Sequence, residues 1–318
     1  MGRNITLLLL AGLVGCGAPA TEGAVDPTPQ VAPTATAAPA SPPPAAEAPK
    51  PPTVRLPRVV AVGDLHADLA TTLAVLKLAG LVDDSGAWVG GDAVLVQTGD
   101  QTDRGPDSKE VLELLMALTG QAAAAGGRVE VLLGNHEVMN MMGDLRYVNP
   151  KDVEDFGSPA ARAAALSASG ELGAWLRERP MTAVVDRVAY VHGGITPRYA
   201  QMGVAGINGL VGGVLAGTLP ADVLGDDSPI WYRGYLQGDE LAACPELERA
   251  LTALGAERMV VGHTTRRDGR IASRCGGRLL GIDTGISTHY GGHLAALELR
   301  AGDAWALYPE GPEDLPDP

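Results

Sequence analysis

The sequence predicts an α/β fold, and three observations carry the prediction. Five apolar runs that read as strands each stop abruptly on polar, chemistry-bearing residues. Helical patterns lie between several of these runs, the alternation expected of an α/β fold. Hydrophobic residues make up 46% of the 318-residue chain, enough for a sizeable core, but aromatics only 4%, with a single Phe156. The core must therefore be built mainly from Ala, Val and Leu.

The elements follow in chain order. RVVAVGDLH (58–66) is an apolar run that ends on Gly63, Asp64 and His66. AVLVQTGDQTDRG (93–105) does the same and ends on Asp100, Asp103 and Arg104. SKEVLELLMALTGQAAAAGG places Val111, Leu114, Leu115 and Leu118 on one helical face and closes on Gly126 and Gly127. RVEVLLGNHEVMN (128–140) is a buried strand that Gly134 breaks before Asn135, His136 and Glu137. Residues 150–182 are Ala-rich and helical in pattern, positioned to shape access to a site. AVVDRVAYVHGG (183–194) reads as a hairpin about Asp186-Arg187 whose second strand ends on His192, and ERMVVGHTT (257–265) ends on His263.

In open α/β sheets ligands sit beyond the carboxyl ends of the strands. Five such ends bring Asp64, His66, Asp100, Asn135, His136, His192 and His263 to one rim. Buried without partners these groups would cost desolvation, so a cation is the natural partner. Carboxylate oxygen with imidazole and no thiolate suits Mn, Fe or Zn. The set is too rich for one ion. With Asp100 bridging, it divides into Asp64, His66 and Asp100 for one ion, and Asp100, Asn135, His192 and His263 for a second. Paired ions serve hydrolytic phosphoryl chemistry. They would also supply positive charge that the chain lacks overall, since its formal net charge is -14. That acidity argues against a nucleic-acid binder working through a general basic field.

The motifs GDLH (63–66), GDQTDRG (99–105), GNHE (134–137), HGG (192–194) and GHT (262–264), five in order, resemble the signatures of the calcineurin-like metallophosphoesterases. GDQTDRG and GNHE together point to the phosphoprotein phosphatase branch. GNHEVMN, GDLRYVN (143–149) and PIWYRGY (229–235) resemble its Shewanella-like subgroup. The resemblance implies a sandwich of two mixed β-sheets flanked by α-helices and two divalent metal ions. It implies a phosphomonoesterase, foremost a protein phosphatase for Ser/Thr and then Tyr, using a metal-bridging hydroxide for in-line attack. His136 becomes the general acid, and Asp103 holds its ring oriented and protonated. Arg104 grips the phosphoryl oxygens, Arg233 is the second phosphate arginine, and Asn135 contacts substrate as well as metal. Ala67 departs from the family, which has Gly there; its extra methyl near the site reads as tolerable. Glu137 is read as a brace, Asp283 as structural, and His289 and His293 as loop and surface residues.

Four domains are expected. Residues 1–16 are a signal peptide: Arg3, an apolar run from Ile5 to Val14 too short to span a bilayer, and Leu13-Val14-Gly15-Cys16, which resembles the bacterial lipoprotein box with Cys16 lipidated. The looser myristoylation pattern at Met1-Gly2 explains neither the run nor Cys16. Residues 17–57 hold twelve of the chain's 24 prolines and no aromatic, and read as a disordered tether. Residues 58–310 are the catalytic domain and 311–318 a C-terminal tail. The protein is thus expected on the bacterial cell envelope, periplasmic or surface side, lipid-anchored, with the outer membrane favoured by Gly17. Cys244 and Cys275 are free to pair in such an oxidising location. The rival readings are a small-molecule phosphoesterase, such as a nucleotide or diadenosine tetraphosphate hydrolase, and a non-catalytic envelope scaffold. The low aromatic content counts mildly against the first, and the Asp103–His136–Arg104 set against the second.

Overall fold

In the computed structural model, which describes residues 58–318, the chain opens with three parallel strands: β1 (Val59–Val62), β2 (Val94–Gln97) and β3 (Arg128–Val131). Two helices connect them, α1 (Leu69–Leu78) and α2 (Ser108–Ala124), and α3 (Asn135–Met141) follows β3 at once. Asp68 caps α1 by accepting from Thr71 N, at 3.1 Å. The Ala-rich region forms three short helices, α4 (Pro150–Asp155), α5 (Pro159–Ala165) and α6 (Glu171–Arg177). Each of α4 and α5 begins with Pro behind a capping side chain, Asn149 and Ser158 respectively.

The second sheet starts with the expected hairpin, β4 (Thr182–Val185) and β5 (Val188–Val191). Its two turn residues, Asp186 and Arg187, have φ of 51° and 63°, so both are left-handed, as a two-residue hairpin turn requires. Then come α7 (Pro197–Ala200), α8 (Gly203–Leu215), α9 (Gly234–Gln237), α10 (Glu240–Leu254), β6 (Arg258–Val261), β7 (Ala272–Arg274) and β8 (Leu279–Gly281). The chain returns to the first sheet through β9 (Ala296–Arg300), β10 (Asp303–Tyr308) and β11 (Gly311–Leu315).

The strand orders are β11-β10-β9-β1-β2-β3 and β4-β5-β6-β8-β7, so both sheets are mixed. Period-two alternation explains how three apolar layers arise from short strands. Val59, Ala61, Val94 and Val96 face inward and meet Tyr190, Val260 and Leu280 of the other sheet. Val60, Val62 and Leu95 face outward and are covered by Val75, Val111, Leu115 and Leu118 of α1 and α2. On the far side Val191, Met259 and Val261 pack under α8 and α10 through Ile207 and Leu247. The expected sandwich is therefore present. The expected tail is not: Gly311–Leu315 is an edge strand paired antiparallel with β10. Its polar GPEDL sequence has no alternation to read, because an edge strand can be held by backbone pairing alone.

Cys244 of α10 and Cys275, at the turn after β7, form a disulfide across 31 residues. Residues 1–57, and with them the expected signal peptide, the lipidation of Cys16 and the tether, lie outside the described residues. No helix among the described residues is long and apolar enough to cross a membrane.

Candidate active site

All five strand ends converge, and a sixth joins them. The carboxyl ends of β1, β2 and β3 meet those of β5, β6 and β8, the last carrying Asp283. Backbone contacts fix the meeting. Leu65 N and His66 N both donate to Asp100 O (3.0 and 2.9 Å), and His263 N donates to both carboxylate oxygens of Asp64, each at 3.1 Å. Asp100 Oδ1 in turn accepts from His136 N, at 3.0 Å.

The local sequence permits this crowding in two ways. Glycine supplies close approach: a Cβ on Gly134 would strike Asp100 Oδ1, and one on Gly262 would strike Asp64 Oδ1. Several non-glycine residues adopt left-handed backbone, namely His66, Ala67, Asp100, Asp103, Arg104 and His263, with φ between 45° and 70°. Such conformations cost roughly 1 kcal/mol or more each. Ala67 is one of them, at φ 52°. Its departure from the family's Gly is thus not a question of a methyl near the site; it is a backbone cost that the surrounding contacts bear. Glu137 supplies many of those contacts. Its buried carboxylate accepts from Asp100 N, Gln101 N, Thr102 N, Thr102 Oγ1 and Gly134 N at 2.8 to 3.0 Å. It is the brace that the sequence suggested.

Two ligand clusters result, both buried and both containing Asp100: His66, Asp100 and His136; and Asp100, His192 and His263. Asp64 stands beside them, its Oδ2 3.9 Å from His66 Nε2 and its Oδ1 3.9 Å from His192 Nδ1. The donor chemistry fits cations. His192 Nδ1–H donates to Thr98 O (2.9 Å), which turns its Nε2 toward Asn135 Oδ1 at 2.9 Å and Asp100 Oδ2 at 3.3 Å. His263 Nε2–H donates to Trp231 O at 3.2 Å, which leaves Nδ1 as the acceptor nitrogen, approached by Arg233 Nη2 at 3.4 Å. Burial pushes His66 down to about 3 and His263 down to about 2, so both rings are neutral ligands at any ordinary pH. His66 Nδ1 has no hydrogen-bond partner among the described residues. Burial, with Asp283 and Asp100 nearby, pushes the Asp64 carboxyl well above its ordinary value. Cations would relieve that crowding of carboxylates.

His136 differs from the other three rings. Its Nδ1 is held by Asp103 Oδ2 at 2.7 Å, and its Nε2 lies 3.9 Å from Asp100 Oδ2. Burial alone would lower its pKa, but Asp100 and Asp103 outweigh burial and raise it. Asp103 is itself fixed: its Oδ1 accepts from Asn140 Nδ2 at 3.0 Å and lies 3.6 Å from Arg162 Nη2. Arg162 donates Nε to Asp152 (2.7 Å) and Nη1 to Asn140 Oδ1 (2.8 Å). A buried chain thus runs from α4 and α5 to the His136 ring.

Above the clusters is a polar cleft of about 250 Å³. Arg104, Tyr147 and Tyr290 line it together with Trp231, Arg233 and Gln237. The Arg104 guanidinium lies 3.8 Å over the Tyr147 ring, and its Nε is buried without a partner among the described residues. Arg104 N donates to Tyr147 O (3.1 Å) and Asn149 Nδ2 donates to Arg104 O (2.8 Å), so the 143–149 loop clamps this arginine. Arg233 is half-buried and reaches His263 at 3.4 Å. Larger hollows, of about 940, 590, 350 and 290 Å³, lie off the clusters. The small polar cleft is the site because it alone of these cavities holds the candidate ligand groups.

Every residue expected at the site is therefore found there. Sequence reasoning missed Tyr147, Tyr290, Asn140, Arg162 and Asp152. Only two quoted motifs offered a signal, GDLRYVN for Tyr147 and GNHEVMN for Asn140. His289 is exposed, with its ring against Tyr290 (4.7 Å) and not in the cleft lining. Asp283 is buried behind Asp64, and its Oδ2 has no partner among the described residues.

Comparison with known proteins agrees with this geometry. The model of the calcineurin-like phosphoesterase family matches residues 57–267. An uncharacterised protein of Schizosaccharomyces pombe is 36% identical over 79% of this chain and 80% of its own. Shewanella-like protein phosphatase 2 of Arabidopsis thaliana is 33% identical over 72% of this chain and 71% of its own. Among solved structures, the cold-active protein-tyrosine phosphatase of a psychrophilic Shewanella superposes with a TM-score of 0.73, at 30% identity, over 82% of this chain and 80% of that one.

Proposed function

We propose, from the premise that this chain belongs to the calcineurin-like phosphoesterase family, that it is a protein phosphatase using two divalent ions. One observation carries the reading: two His/Asp clusters share Asp100 directly beside an Asp103–His136 pair and two arginines. A scaffold would have no use for a positioned acid.

Asp64, His66 and Asp100 would hold one ion, and Asp100, Asn135, His192 and His263 the other. When bound, the ions would supply Lewis-acid charge for the phosphoryl group and lower the pKa of a water. The remaining work belongs to the chain. Arg104 and Arg233 bind and orient the phosphoryl oxygens with planar guanidinium donors, and the buried Arg104 Nε needs such an acceptor. Asn135 sits where both metal and substrate oxygen can use it. His136, kept protonated by Asp103, gives the proton on Nε2 to the leaving oxygen. The low aromatic content counted against a nucleotide substrate, yet Tyr147, Trp231 and Tyr290 all line the cleft. The guanidinium covering Tyr147 leaves that ring face closed to a base. The Arabidopsis and Shewanella relatives are named as protein phosphatases, the latter for tyrosine. With the aromatic walls, this puts phosphotyrosine first among phosphorylated residues. Manganese is the ion to try first, since carboxylate, amide and imidazole donors suit it. The sequence of residues 1–16 supports lipid anchoring at Cys16 on the bacterial envelope.

The test is phosphate release by the manganese-loaded chain from matched phosphotyrosine, phosphoserine and phosphothreonine peptides, beside nucleotides, with Asp100→Asn as the blank. Peptide turnover absent from the blank supports the reading. Turnover of nucleotides alone would replace it with the small-molecule reading, and inactivity with both ions bound would favour the scaffold.

A further inference from the structure

The hollow of about 590 Å³ beside the site is mostly apolar. Met141, Met142, Leu145, Val148, Val153 and Leu166 are among its walls. Its size lies within the range of ligand pockets. The cause is compositional: α5, PAARAAA, has no large apolar side chain to offer and lines the hollow with Pro159, Arg162 and Ala163. Met142 and Leu145 are 48% and 50% exposed, two of the seven exposed large hydrophobics among the described residues, and both belong to this one hollow. Clustering of that kind marks a binding surface more than scattered exposure does.

The hollow lies next to the catalytic cleft. Loop 143–149 is their shared wall: Tyr147 lines the cleft, while its neighbours Leu145 and Val148 line the hollow. Asn140 and Arg162 also line the hollow, and both reach Asp103 on their other side. The two arginines on its lining are each tied to protein groups. Arg162 is bound to Asp152 and Asn140, and Arg177 donates to Leu166 O and Gly173 O. Arg162 Nη2 is buried and faces Asp103 at 3.6 Å rather than a bound anion, and the remaining walls are mostly aliphatic and thioether side chains, so the occupant is apolar.

We infer that this hollow is a substrate subsite that takes a bulky aliphatic or aromatic side chain of the phosphoprotein, within about three residues of the phosphorylated one. The inference rests on the protein-phosphatase reading and names a sequence preference for it.

The test uses the full chain and a set of phosphopeptides that differ only in Leu for Ser at each of three positions on either side of the phosphoresidue. Wild type is expected to favour Leu at one of these positions by about tenfold in kcat/KM, through KM. Ala163 is an exposed residue on the wall of the hollow. Ala163→Trp should therefore fill the hollow and bring the Leu/Ser ratio within twofold. Leu145→Ser, also exposed, should reduce the ratio at least threefold. Each ratio is internal to one preparation, so partial misfolding does not alter it. Indifference of wild type to Leu at all six positions overturns the inference, as does a ratio that survives both substitutions. A chain that turns over nucleotides and no peptide fails the phosphatase reading instead.

Discussion

Arg162→Met tests the buried chain that leads to His136. Methionine keeps much of the volume but removes every hydrogen bond. Asp152, 1% exposed, would keep Ser108 N (2.9 Å) and lose the guanidinium. Asn140 Oδ1 would lose its donor as well. Removing one partner of a buried ion pair costs about 3–5 kcal/mol. In a domain of this size each kcal/mol moves the midpoint by about 2–4 °C, so thermal melting should fall by about 6–20 °C. The second effect is chemical. Asn140, no longer anchored, holds Asp103 Oδ1 less firmly, and the His136 ring loses its orientation. General acid catalysis is worth about 10²–10⁴; partial loss predicts about a 10–100-fold slower rate on a phosphoserine peptide. The nitrophenolate of p-nitrophenyl phosphate leaves without a proton, so that substrate should slow by less than about threefold. Adding Asp152→Asn removes the stranded charge and should restore part of the stability but not the leaving-group dependence. Equal slowing on both substrates, or melting within about 2 °C of wild type, would refute the reasoning.

Three further expectations follow from the same contacts. Glu137→Gln puts an amide N–H₂ against at least two backbone N–H donors, costs about 3–6 kcal/mol at about 1.5–3 per charged hydrogen bond, and should lower both melting temperature and metal retained after dialysis; unchanged metal content would speak against the brace. Reducing the Cys244–Cys275 disulfide, which closes a loop of 31 residues, should cost about 3–4 kcal/mol, read as a lower melting point in reductant, and superimposable melts would contradict this. Asp68 provides a pH test. Burial would raise its carboxyl, but hydrogen bonds from Thr288 and Thr71 outweigh burial and hold it below its ordinary 3.8. A depressed folded pKa means that the stabilisation is present above the unfolded pKa and fades as pH falls through the folded one. Asp68→Asn should therefore lower the melting point at pH 7 by a margin that shrinks below about pH 4; a margin constant across that range would rule out the ionised carboxylate as its source.

The candidate site was legible to the extent that its chemistry is written just past the end of a strand, from His192 directly after β5 to Arg104 in the loop after β2. Gly63-Asp64, Gly99-Asp100 and Gly134-Asn135 follow apolar runs directly, and a strand that ends at a sheet's carboxyl edge delivers such residues to one rim whatever the rest of the chain does. Local spacing sets those positions, so sequence alone determined the α/β class and which candidate ligands gather around Asp100. Other features depend on which distant segments meet. Arg162 reaches Asp103 only because α4 and α5 fold back over α3, and nothing in an Ala-rich run marks one arginine as buried. Tyr290 is brought to the cleft, 4.8 Å from His66, by a loop more than 220 residues later in the chain. The GPEDL strand is held by pairing with β10, which leaves no hydrophobic period to read. The disulfide needed the 5.4 Å between Cα atoms that only the packed α10 and β7–β8 turn provide. Short-range backbone geometry decided where the candidate metal ligands stand. The tertiary structure decided what surrounds them, because burial and long-range contact are properties of the assembled layers.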